Sequence, residues 1–95
     1  MKIITSLLFA LSLISCTASV DAAPLAAGKQ RFLGSAYGPS QAKDFTKYWN
    51  KVTPENAGKW GSVEAVQGKM DWTALDEAYN LAKSNNMKFQ FHVLI

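Results

Sequence analysis

Hydrophobic and polar residues alternate along this chain in segments of distinct period. Arg31 to Tyr37 is a short apolar and small-residue run closed by Gly38-Pro39, the pattern of a strand ending in a turn. Ser40 is placed to cap a helix in which Ala42, Phe45, Tyr48 and Trp49 recur at helical spacing through Asn50. Lys51-Val52-Thr53 then predicts a second strand, stopped by Pro54, which has no N–H for a ladder. Glu55 to Met70 keeps no sustained period, with Gly58, Gly61 and Gly68 spread through it. So long a loop within a domain tends to be functional.

The clearest helix follows. Asp71 or Thr73 caps it, and Asp76 lies three residues after Thr73 as in a loose capping box. Trp72, Leu75, Tyr79 and Ala82 mark one face, with Ala78 and Leu81 beside it. Ser84-Asn85-Asn86 ends the helix, and Met87 to Ile95 predicts a buried third strand. The order strand, helix, strand, helix, strand predicts an α/β fold with a parallel sheet and crossover helices. A buried parallel strand running into Val93-Leu94-Ile95 with no helix after it leaves one face uncovered, the expectation for a truncated fold.

Residues 1–22 have a different character. Met1-Lys2 supplies a positive start, Ile3 to Ile14 is apolar except for Thr5, Ser6 and Ser12, and small residues follow. That order predicts a secretory signal peptide, the run being shorter than the roughly 20 residues a membrane-spanning helix needs. Two processing readings stand side by side. Val20-Asp21-Ala22 suits cleavage after Ala22, whereas Leu13-Ile14-Ser15-Cys16 resembles a bacterial lipobox whose cysteine would be lipidated. Either reading predicts a protein outside the cytoplasm, secreted or periplasmic, with membrane attachment only through Cys16. Ala23 to Gln30 then reads as a linker (23–30), and 31–95 as the folded part.

Composition changes the picture little. The net charge is +3, with hydrophobic residues at 48% and charged at 18%, as in a globular domain. The lysines are scattered without an aromatic-interleaved cluster, which excludes a nucleic-acid partner from the expectations. One histidine, and one cysteine that falls in the leader, leave no metal-ligand set in the fold.

Chemistry concentrates in Val52-Thr53-Pro54-Glu55-Asn56-Ala57-Gly58-Lys59-Trp60. A carboxylate, an amide, an ammonium and an indole follow the C-terminal end of a short strand, where α/β barrels build their sites. Such groups suit a sugar: carboxylate, amide and ammonium hydrogen-bond hydroxyls, and indole offers a flat face to pyranose C–H groups. By residue chemistry alone, polar residues after a strand are more often solvated loop. Thr53-Pro54-Glu55-Asn56, Lys59-Trp60, Glu64, Gly68, Asp76, Ala82 and the strand-borne His92 together resemble the N-terminal third of glycoside hydrolase family 10, the endo-β-1,4-xylanases. Phe32-Leu33-Gly34-Ser35-Ala36 is similar to that family's first barrel strand.

The resemblance implies a fold made of the first two to three βα units of a (β/α)8 TIM barrel. It implies that Glu55, Asn56 and Lys59 hydrogen-bond xylose units of xylan or xylo-oligosaccharide on the non-reducing side of the cut, with His92 beside the sugar whose bond is broken. The parent would be a monomeric, cofactor-free retaining endo-1,4-β-xylanase. Its acid/base and nucleophile glutamates would come from strands beyond Ile95, so the 95 residues alone are expected to be inactive. Glu64 is not a candidate acid, because retaining chemistry needs two carboxyls about 5–5.5 Å apart across the scissile bond, and Glu55 and Glu64 share one loop. The sequence departs from the family with Ala65 for proline, Phe91 for glycine and Val93 for threonine, which leaves the fine substrate preference open. Trp72 is expected in the core and Trp60 as a buttress of the loop. Two other readings remain: a small exported sugar-binding protein without catalysis, and a barrel glycosidase acting on another plant-wall glycan.

Overall fold

A computed structural model of the chain describes residues 23–93. The leader, its two cleavage readings, the tetrapeptide Leu13–Cys16 and the Leu94-Ile95 end of the third strand lie outside the described residues. Three strands, β1 (Gly34–Tyr37), β2 (Lys51–Pro54) and β3 (Lys88–Phe89), form a parallel sheet in the order β1-β2-β3. Between them run α1 (Phe45–Tyr48), α2 (Trp60–Val63) and α3 (Thr73–Ser84). Consecutive parallel neighbours joined by helical crossovers are the arrangement of adjacent units in a βα barrel, as expected.

Register follows side-chain alternation. Gly34 pairs with Lys51 and Tyr37 with Pro54, while Lys51 pairs with Lys88 and Val52 with Phe89. Residues paired across a parallel ladder point to the same face. One face therefore carries Tyr37, Val52 and Phe89 toward the helices. The core holds Tyr37, Phe45, Val52, Ala78 and Ala82, with Trp49, Leu81, Met87 and Phe89 packed against it. Alanines at 78 and 82 let α3 lie close on Val52, and the Tyr37 and Phe45 rings meet edge-on at 5.2 Å. The Tyr37 hydroxyl donates to Glu77 Oε1 at 2.9 Å, tying the end of β1 to α3. Burial and the adjacent Glu77 carboxylate push the Tyr37 phenol above its ordinary value.

The opposite face is open. Lys51 Nζ donates to Gln90 Oε1 and sits 5.3 Å from the centre of the Phe32 ring, a cation–π arrangement.

Several expectations need correction. The helix expected from Ser40 is a single turn beginning at Phe45, because Gln41 N–H bonds the Gly38 carbonyl in a turn and Asp44 adopts φ 60°. A left-handed residue cannot continue a right-handed helix, so the capping expected of Ser40 is lost. The loop from Glu55 to Met70 contains α2 and a tight turn at Gly68, where φ is 78° and Lys69 N–H bonds the Val66 carbonyl. The third strand is neither long nor buried: regular pairing stops at Phe89, and Phe91 and His92 are exposed. Among the described residues β3 has no strand on its far edge and no helix over Phe91.

Other elements keep their expected place with altered detail. Asp71 Oδ1 accepts the Thr73 N–H at 3.0 Å from one residue before the N-cap Trp72, so Asp71 satisfies the first N–H of α3 while Thr73 is its first residue. Asp76 does not close a box; its N–H takes the Trp72 carbonyl as an ordinary helical bond. The buried stripe runs through Leu75, Ala78 and Ala82, rotated away from Trp72, which is 49% exposed and not core. Residues 24–30 form turns, and the Leu25 N–H bonds the Tyr48 carbonyl at 3.0 Å, which holds this segment on the end of α1.

Candidate functional site

The strand ends at one edge of the sheet carry the candidate residues. Pro54 is buried opposite Tyr37, and the next N–H, that of Glu55, reaches the Tyr37 carbonyl at 2.9 Å. The ladder therefore runs one step beyond the proline before the chain turns outward. Lys59 N–H then bonds the Asn56 carbonyl at 3.0 Å, closing a turn over Asn56–Lys59. α2 starts directly after it, with Ser62 and Val63 donating back to the Lys59 carbonyl.

Within this turn Lys59 Nζ donates to Asn56 Oδ1 at 2.8 Å, so the ammonium and the amide are held as a unit. Both are exposed, as is Glu55. The Glu55 carboxylate lies over Gly38: a Cβ built there would fall 3.0 Å from Glu55 Oε2 and 3.1 Å from Gln41 Oε1. Glu55 and Asn56 border a shallow cleft with Tyr37, Gly38, Pro39 and Ser62. Carboxylate and amide oxygens accept from sugar hydroxyls, while the ammonium donates, so the three groups offer both halves of hydroxyl recognition.

His92 arrives from the end of β3. Gly58 is buried, and a Cβ on it would collide with the His92 carbonyl oxygen and lie 3.0 Å from its carbon. The backbone at His92 thus rests on Gly58 in the turn that follows β2, and His92 itself is exposed. All four candidates stand at the C-terminal ends of neighbouring parallel strands. Gly58 was missed by the sequence reading, since nothing about a glycine in a glycine-containing loop reveals which strand approaches it.

Glu64 has a different part. Its Oε2 accepts Trp60 Nε1–H at 2.8 Å and its Oε1 accepts the Gly68 N–H at 2.6 Å. These bonds, the Gly68 one foremost, hold the carboxyl below the ordinary carboxylate value. That is the reverse of what a general acid requires. Trp60 does brace the loop through this bond, although its indole is 63% exposed. It lines an apolar groove with Gly58, Met70, Trp72 and Phe91.

A lowered pKa fixes the sign of a pH effect. The hydrogen bonds to Glu64 contribute fully above the ordinary carboxylate range and are lost as pH falls through Glu64's own lower value. An acid titration followed by the Trp60 Nε1–H nuclear magnetic resonance is expected to show a midpoint below the ordinary carboxylate value. Glu64→Gln should remove that transition; a midpoint at or above the ordinary value would contradict the bonding described.

Comparison with known proteins agrees with this geometry. The family model described as glycosyl hydrolase family 10 matches residues 17–95. Endo-1,4-beta-xylanase B of Cellvibrio japonicus is 46% identical over 52 residues, covering 55% of this chain and 9% of the relative. Endo-1,4-beta-xylanase 1 of Gibberella zeae is 32% identical over 85 residues, covering 83% of this chain and 24% of the relative. Among solved structures, that of GH10 from Paenibacillus barcinonensis superposes with a TM-score of 0.58 at 30% identity, covering 67% of this chain and 20% of that one. The chain therefore spans about a quarter or less of the length of these relatives. With its parallel βα units and a family match over residues 17–95, the chain belongs to glycosyl hydrolase family 10.

Proposed function

We propose that this chain forms part of the substrate cleft of an endo-1,4-β-xylanase, gripping xylose units through Glu55, Asn56, Lys59 and His92. The observation that supports the reading is the seating of the His92 backbone on Gly58, which brings the ends of β2 and β3 together. Xylanase relatives supply the substrate class. Hydrolysis with retention would proceed through a glycosyl-enzyme intermediate formed and broken by two carboxylates. We assign those carboxylates to strands outside these 95 residues, since Glu64 is committed to holding the loop. The charged start and apolar run of residues 1–22 support export from the cytoplasm, with Cys16 as the alternative point of lipid attachment.

Isothermal titration with xylohexaose, cellohexaose and mannohexaose tests the reading. Xylohexaose should bind preferentially, and the 95 residues alone should release no reducing ends from xylan. Lys59→Ala should weaken xylohexaose binding about tenfold, the loss of one charge-assisted hydrogen bond, while leaving the melting temperature in place. Equal affinity for all three glycans, or none for any, would sink the xylan assignment. Hydrolysis by the 95 residues would overturn the placement of the carboxylates.

A further inference from the structure

We infer that Gly58 and Phe91 act together as a positioning pair, setting how closely His92 approaches the Asn56–Lys59 turn and hence how a xylose chain is gripped. This rests on the sugar-binding reading of Glu55, Asn56, Lys59 and His92 given above. Gly58 is not a glycine for conformational reasons. Among the described glycines only Gly28 and Gly68 take a positive φ. Space is the reason. A Cβ at Gly58 would collide with the His92 carbonyl oxygen and meet its carbon at 3.0 Å, both of them backbone atoms. Neither can rotate out of the way as a side chain would.

Phe91 lies on the same contact. Its Cε2 stands 3.4 Å from the position a Gly58 Cβ would take, an ordinary packing distance. The ring thus borders the space left free by the missing side chain. Small against large is the complementarity that close packing needs where two backbones meet. Gly58 adjoins Lys59, and Lys59 is bonded to Asn56, so a displacement of Gly58 moves the ammonium and the amide together. On the other side the atoms that touch Gly58 belong to the residue that carries the imidazole.

The contact also lies where other restraints have ended. Regular pairing of β3 stops at Phe89, followed by one further bond from Gln90 N–H to the Val52 carbonyl. Gly58, Phe91 and His92 all lie outside the core cluster of Tyr37, Phe45, Val52, Ala78 and Ala82. The end of β3 is therefore placed by Gly58 and Phe91 more than by the core. A change there moves His92 relative to Lys59 while the sheet stays intact.

The test uses the intact protein in three forms, wild type, Gly58→Ala and Gly58→Ala/Phe91→Gly, each titrated with xylohexaose. The single histidine gives an unambiguous imidazole resonance that reports its surroundings. Gly58→Ala is expected to shift that resonance and weaken binding about tenfold, the equivalent of one misaligned hydrogen bond. Removing the Phe91 ring in the same chain gives the strand end room to retreat and should restore part of the affinity, a non-additivity that general destabilisation would not produce. Tight wild-type binding with unchanged affinity in Gly58→Ala overturns the pairing and leaves the sugar site standing. Absence of wild-type binding removes the sugar reading, and the pairing with it. If Gly58→Ala does not fold, Phe91→Ala decides: weakened binding with a shifted imidazole resonance supports the pair, and unchanged binding overturns it.

Discussion

Replacing Phe45 with alanine is expected to destabilise the protein by about 3–5 kcal/mol, the range for emptying a large aromatic site in a packed core. Phe45 is 2% exposed and lies between the Tyr37 ring and the rest of the buried cluster. It is also the first residue of a helix of only one turn, which has too few hydrogen bonds to hold itself. The ring therefore holds α1 on the sheet, and the turn has no other buried residue to take over. A folded unit of this size carries a total stability of roughly 4–11 kcal/mol, so the loss removes much of it. Urea unfolding followed by far-ultraviolet circular dichroism measures the change. Tyr48→Ala in the same turn is the control, because Tyr48 is half exposed and its loss should cost under about 1 kcal/mol. Equal costs for the two would show that the ring of Phe45 is not what anchors α1.

Gly34→Ala is expected to fall at or above the upper end of the roughly 1–3 kcal/mol typical of overpacking. Gly34 lies directly opposite Lys51, and a Cβ there would meet Lys51 Cβ at 2.6 Å and the Lys51 carbonyl oxygen at 2.7 Å. Neighbouring strands ordinarily lie about 4.7–4.9 Å apart, so β1 must move away from β2 to admit the methyl group. Because the obstruction includes a backbone carbonyl, side-chain rotation cannot relieve it. The displacement would also disturb Lys51, which reaches Gln90 on one side and the Phe32 ring on the other. A shift in the urea midpoint, accompanied by faster amide exchange along β1, is the expected result. A change below about 0.5 kcal/mol would mean the strands separate without cost.

Both positions show what the sequence could and could not reveal. Phe45 was legible as an apolar residue at helical spacing, but the length of its helix was not. The turn at Gly38-Pro39 and the left-handed Asp44 delay the start of α1, and Asp44 carries no signal strong enough to announce that conformation. Gly34 was legible as part of a strand, yet its need to be glycine depends on how near Lys51 passes. The stripe on α3 was read nearly correctly. Its axis was rotated because Trp72 looked like core, whereas the alanines at 78 and 82 are what fit against Val52.

The site divides in the same way. Glu55, Asn56 and Lys59 were legible as a polar cluster just past a strand, since local order along the chain is enough to place residues so close in sequence. Glu64 was set aside on sequence grounds, and its bonds to Trp60 and Gly68 supply the physical reason. His92 was legible only as a polar residue in an apolar strand. The contact of its backbone with Gly58 depends on β3 lying beside β2 and on the missing side chain at Gly58, which no periodicity describes.

What the sequence by itself determined is the alternation of the three strands with α1 and α3, the parallel sheet and the family, because these rest on local period and on a motif of fixed spacing. Only the tertiary structure decided which glycines are obligatory, which tryptophans are exposed and how the two strand ends meet. Those properties arise between residues distant along the chain, where close packing sets the separation of one backbone from another. A pattern read along the chain carries no measure of that separation.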